Sequence, residues 1–144
     1  MSHSYVKIWV HAIWSTKNRE HLIDFGIEKK LYDFLFSELS SLNCSALAIN
    51  GMPDHIHCLF LLDNQKSIAD VVKQLKGSSA HYINSNDMTM EKFSWQKGYA
   101  AFSVSESIVP KVKAYINNQK AHHGAKAYPE ELSDFLKLNG FDHS

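Results

Sequence analysis

The chain has 144 residues, 44% of them hydrophobic, with 15 lysines and arginines balancing 15 aspartates and glutamates. That length supports one domain, 1–144, with a proper core, and the zero formal charge argues against a broadly basic nucleic-acid coat while leaving room for a local patch. No stretch approaches the ~20 apolar residues of a membrane span, and the opening Met1-Ser2-His3-Ser4-Tyr5-Val6-Lys7 lacks the basic-then-apolar order of a secretory signal, so a cytoplasmic protein is expected.

Residues 5–14 predict a strand, rich in β-branched and aromatic side chains. Val6, Ile8, Val10, Ala12 and Trp14 share one face; Tyr5, Lys7, Trp9, His11 and Ile13 share the other. His11 reads as a partly buried histidine with a hydrogen bond. The polar loop at 15–20 carries Lys17 and Arg19; directly after a strand, it is placed to meet phosphates at a sheet edge. Ile27, Leu31, Leu35, Leu39 and Leu42 recur at helical spacing over 27–42, with Asn43 as the stop.

Residues 44–50 predict a second strand, and the Gly51-Met52-Pro53-Asp54 turn joins it to a third as a hairpin. The third strand opens with His55-Ile56-His57-Cys58-Leu59-Phe60. Alternate residues of a strand face the same way, so His55 and His57 project together and could grip one metal ion. The lone cysteines, Cys44 and Cys58, lie in apolar runs and read as reduced core residues.

Ser67 caps a helix to about residue 84, with Lys73 and Lys76 in its later part. Lys66, Lys73 and Lys76 concentrate positive charge. Trp95 precedes a fourth strand, 99–104, and reads as a packed anchor or a base-stacking platform; Tyr82 is a second stacking candidate. Ser105-Glu106-Ser107 caps a third helix, where Tyr115 and Gln119 stand one turn apart on one face. His122 and His123 close that helix, where imidazolium suits the dipole. Residues 129–138 form a short last helix.

The order β-α-β-β-α-β-α-α predicts an α+β fold. Its first six elements make a split βαβ, ferredoxin-like unit: a four-stranded antiparallel sheet with helices on one face. Strands one and three would be central neighbours, bringing His11 beside His55 and His57. The third helix would close over the open face or swap onto a partner.

Several segments together carry a resemblance. They are the Trp9-Val10-His11-Ala12-Ile13-Trp14 strand with its Lys17-Asn18-Arg19 loop, Asp54-His55-Ile56-His57, and the helix at 67–79. After them come Trp95-Gln96-Lys97-Gly98-Tyr99, Phe102-Ser103-Val104-Ser105, and Tyr115 to Gln119 with His122 and His123. In this order, across nearly the whole chain, they resemble the single-tyrosine HUH transposases of small insertion sequences that move as single-stranded DNA, and their domesticated relatives.

The resemblance implies Tyr115 as nucleophile and His55, His57 and Gln119 as ligands of Mg2+ or Mn2+. Imidazole ligands by themselves would equally allow zinc. It further implies nicking and rejoining through a 5′-phosphotyrosine, a hairpin-containing single-stranded DNA partner, and a homodimer in which the tyrosine helix can complete the partner's site. Lys17, Arg19, Lys73, Lys76 and Trp95 are the DNA-contact candidates. Two other readings stand beside it: a hairpin-binding protein of the same fold that no longer cleaves, and a metal-dependent phosphoesterase using activated water.

Overall fold

The computed structural model describes residues 3–122 and 126–141. Its sheet has the order β2-β3-β1-β4, from β1 (Trp9–Ser15), β2 (Ser45–Met52), β3 (His55–Leu61) and β4 (Ala100–Val104). All three pairings are antiparallel, and β1 and β3 are the central neighbours, as expected. β1 begins later than its composition suggests, because Tyr5, Val6 and Ile8 are exposed and outside the sheet.

α1 (Phe25–Ser41) and α2 (Ile68–Ser85) cover one face. Asp24 caps α1 by accepting from the Gly26 and Ile27 amides, and Ser67 caps α2 by accepting from the Asp70 backbone amide. Their apolar stripes meet Val10, Ala12 and Trp14 of β1 and Ile56, Cys58 and Phe60 of β3, the alternating sets read from the sequence. Cys44 and Cys58 are buried and free.

The opposite face carries α3 (Val109–Asn117), α4 (Gln119–His122) and α5 (Tyr128–Leu138). Leu59 packs with Val109 and Ile116 there, and Ile13 with Phe102 and Tyr128. The chain is therefore layered as helices, sheet, helices. Among the described residues no helix is long and apolar enough to cross a membrane.

Three details depart from expectation. β2 runs on through Gly51 and Met52, so the turn is only Pro53-Asp54. Gly51 is required there: a Cβ would fall 2.1 Å from the His55 carbonyl oxygen and 2.8 Å from the Ile56 Cα. Ile108, not the 105–107 serines, stands at the N-cap of α3, without a side-chain cap; Glu106 instead accepts from Lys7 and the Trp9 indole. The tyrosine helix also breaks at Asn118, so Tyr115 and Gln119 lie on two short helices.

Candidate active site on the helix-covered face of β3

β3 supplies two imidazoles at its first and third positions, both fully buried. Each has one nitrogen fixed from behind. His55 Nδ1 lies 2.7 Å from the Asp54 carboxylate, and His57 Nδ1 lies 2.8 Å from His11 Nε2. Their Nε2 atoms converge on one oxygen of Glu131, each at 3.0 Å. Such rear partners orient imidazoles for metal binding.

The other Glu131 oxygen accepts from the Tyr115 hydroxyl and, at 2.9 Å, from Gln119 Nε2. His55, His57, Tyr115 and Gln119 thus meet at one point, although Gln119 enters as a donor to a carboxylate. Ligand atoms of His55, His57 and Glu131 lie within 4.8 Å of one another. This buried His-His-Glu cluster can hold a divalent metal. The fit rests on the imidazole pair with its rear partners and on a carboxylate facing both Nε2 atoms.

Within the one chain, Tyr115 and Gln119 are joined to the imidazoles through Glu131. Asn50 on β2 donates to the Ile116 and Asn117 carbonyls at 3.0 and 3.3 Å, satisfying the end of α3. Lys120 bonds Asn50 and the Gly51 carbonyl and pairs with Glu28 on α1. These clamps dock α3 and α4 on β2 despite the break at Asn118.

Glu131 is not among the site residues read from the sequence, which gives 129–138 only as a short last helix. A signal was present. Glu131 stands three residues after Tyr128 and four before Phe135, inside the apolar stripe of α5, where an ionised residue is rarely found unless paired.

Charge in the site is strongly coupled. Burial pushes the Glu131 carboxyl up, but hydrogen bonds from His55 and His57 outweigh it and hold the group ionised. Burial lowers His55, yet its bonds to Asp54 and Glu131 leave its pKa raised. His11 is driven down to about 3 by burial and by the nearby charge of His57, so it is neutral. Burial, then the Glu131 carboxylate, raises Tyr115 above an ordinary phenol. Tyr128 stacks on His55 at 4.3 Å between ring centres, and Phe135 meets the edge of the Tyr115 ring.

The DNA-contact candidates divide. Lys17, Arg19 and Lys73 are exposed. Lys76 instead turns its ammonium onto the Gln96 and Gly98 carbonyls at 2.7 and 2.8 Å. Trp95 is an anchor: its indole donates to Ser79 Oγ at 2.9 Å, and its ring packs edge-on against Trp14 and Phe93. Tyr82 stacks on Phe34, 4.4 Å between ring centres. His123 lies outside the described residues, as does the side chain of His122.

Residues 4–119 match the model of the family described as "Transposase IS200 like". The ISDra2 transposase TnpA of Deinococcus radiodurans is 29% identical over 114 residues, covering 76% of this chain and 81% of that protein. A crystal structure of a candidate transposase from Deinococcus radiodurans R1 is similar with a TM-score of 0.66 at 30% identity, over 83% of this chain and 96% of that one. A REP-associated tyrosine transposase bound to a REP hairpin shares the fold at a TM-score of 0.65 and 15% identity, over 86% of this chain and 73% of that one.

Proposed function

Because the chain belongs to the IS200-like transposase family, we propose that it nicks and rejoins single-stranded DNA through a covalent bond from Tyr115 to a 5′-phosphate. The observation that carries this reading is the convergence of His55, His57, Tyr115 and Gln119 on the two oxygens of Glu131. A nucleophile and a cation-binding cluster so arranged can act on one phosphodiester.

His55, His57 and Glu131 would hold Mg2+ or Mn2+, with Gln119 beside them. When bound, such a cation would polarise the phosphate oxygens and offset the charge growing on the leaving oxygen. The Tyr115 oxygen forms the new bond to phosphorus, the bond from phosphorus to the 3′-oxygen breaks, and a 3′-hydroxyl results. The phosphotyrosine conserves the energy of the diester, so a 3′-hydroxyl of another strand can reverse the step without ATP. A phenol is protonated at neutral pH in any case, and burial with the Glu131 carboxylate raises Tyr115 further, so its hydroxyl must give up its proton as it attacks.

DNA carrying a hairpin is the proposed partner, consistent with the hairpin bound by the structurally similar REP-associated protein. Lys17, Arg19 and Lys73 are the proposed phosphate contacts. One tyrosine per site cleaves one strand end, so excising a segment takes two chains, and we propose a homodimer.

The test is incubation with labelled hairpin-bearing single-stranded DNA and Mg2+ or Mn2+. A protein–DNA adduct that survives denaturation and disappears in Tyr115→Phe is expected. Binding without adduct would indicate a protein that only holds hairpins. Cleavage persisting in Tyr115→Phe would indicate hydrolysis by activated water.

A further inference from the structure

The loop after β1 takes an unusual course. Asn18 and Arg19 are consecutive non-glycine residues at φ 57° and 56°, in the left-handed region that a Cβ disfavours. Conformations of this kind persist where surroundings over-determine them, and they gather at ligand sites. Here the surroundings do so. The Lys17 amide donates to the Ser94 carbonyl and the Gln96 amide to the Ser15 carbonyl, both at 2.9 Å. The Asn18 amide donates to Gln96 Oε1 at 3.1 Å. On the far side, Lys76 holds the Gln96 and Gly98 carbonyls.

Between loop and segment lies a cavity of about 480 Å³ lined by Ser15, Asn18, Arg19 and Gln96. A second, of about 280 Å³, shares Ser15 and Gln96 and continues past Lys97 and Tyr99 to Tyr128. The groove they form starts at the active site. Ser15 is the register partner of His55 and lines the second cavity together with Tyr128, whose ring stacks on His55.

Its chemistry suits an unpaired nucleotide. Arg19 and Lys97 offer positive charge and Tyr99 an exposed ring, the pairing that single strands use. Gln96 supplies selectivity. Its Oε1 is taken by Asn18, and among the described residues its Nε2 has no acceptor, so the amide presents donors from a fixed backbone to a base edge.

We propose that this groove seats the nucleotide flanking the scissile phosphate and that Gln96 reads its base by donating to an acceptor on it. This rests on the DNA-cleaving reading above and adds a specificity residue to it.

The test uses the full chain, Mn2+, and a pool of hairpin-bearing single strands randomised on both sides of the hairpin. Strands captured on Tyr115 are sequenced. The wild type should show a base preference at a position next to the linked phosphate. Gln96→Ala should weaken it by about fivefold, the ratio expected for one hydrogen bond. Gln96→Glu keeps the acceptor for Asn18 but replaces the donor, so it should change which base is preferred; this variant also guards against a loop that simply loosens. Preferences elsewhere should stay as in the wild type. A flanking preference identical in all three proteins, or absent from the wild type, overturns the inference while leaving the DNA-cleaving reading intact. Failure of the wild type to capture any strand overturns that reading, and the inference falls with it.

Discussion

His57 Nδ1 lies 2.8 Å from His11 Nε2, in a buried pair bridging the two central strands. Only a neutral His11 can accept there, and burial keeps it neutral. With His57 Nδ1 donating to His11, His57 Nε2 is directed at Glu131, to which it donates in the metal-free protein. His11 is therefore a positioning residue behind one member of the pair.

This pairing has a pH signature. His11 is lowered to about 3 from an unfolded value of 6.5. Between those values the unfolded chain binds more protons, so this contribution is full above 6.5 and is lost as pH falls towards 3. His55, whose pKa is raised, works oppositely: its contribution is full below 6.5 and fades as pH rises through its folded value. Replacing His11 by glutamine should flatten the acid side only. Urea midpoints of both metal-free proteins at a series of pH values from about 4 to 7 will check this; parallel curves would sink it.

Glu131 gives the second prediction. Its carboxylate faces both Nε2 atoms, so Glu131→Gln should weaken Mn2+ binding by roughly tenfold or more, in the range seen when metal-site partners are lost. Calorimetric titration reads this without DNA. Equal or tighter binding would mean that the carboxylate only fills the space and leaves when metal enters.

Gly51 gives the third. A methyl group at this position collides with the backbone of His55 and Ile56, which no side-chain rotation relieves. Gly51→Ala should cost about 3 kcal/mol or more, the upper range for overpacking, and should disturb His55 first. Chemical denaturation measures the loss, and a stability within a few tenths of the wild type would contradict the close approach of β2 and β3.

The lysines give the fourth. Each phosphate contact to a single strand adds about 0.7 to the slope of log affinity against log salt. Lys17→Ala and Lys73→Ala should each reduce that slope. Lys76→Met should lower thermal stability and leave the slope unchanged, since Lys76 is bound to the Gln96 and Gly98 carbonyls. A slope that falls equally in all three would restore Lys76 as a DNA contact.

The sequence by itself determined the order of elements, the two faces of β1 and β3, and the side-by-side projection of His55 and His57. Periodicity carries this information because alternation and helical spacing are local. It also brought Tyr115 and Gln119 to notice, one turn apart. Only the tertiary structure decided what meets what. It showed α3 and α4 clamped to their own sheet by Asn50 and Lys120, and the helix broken between Tyr115 and Gln119. It turned Lys76 inward, and it put Glu131, 76 residues from His55, at the centre of the site. A periodic pattern says that a face is buried, not against which partner. A carboxylate on such a face gains its meaning only from the imidazoles that another part of the chain brings to it.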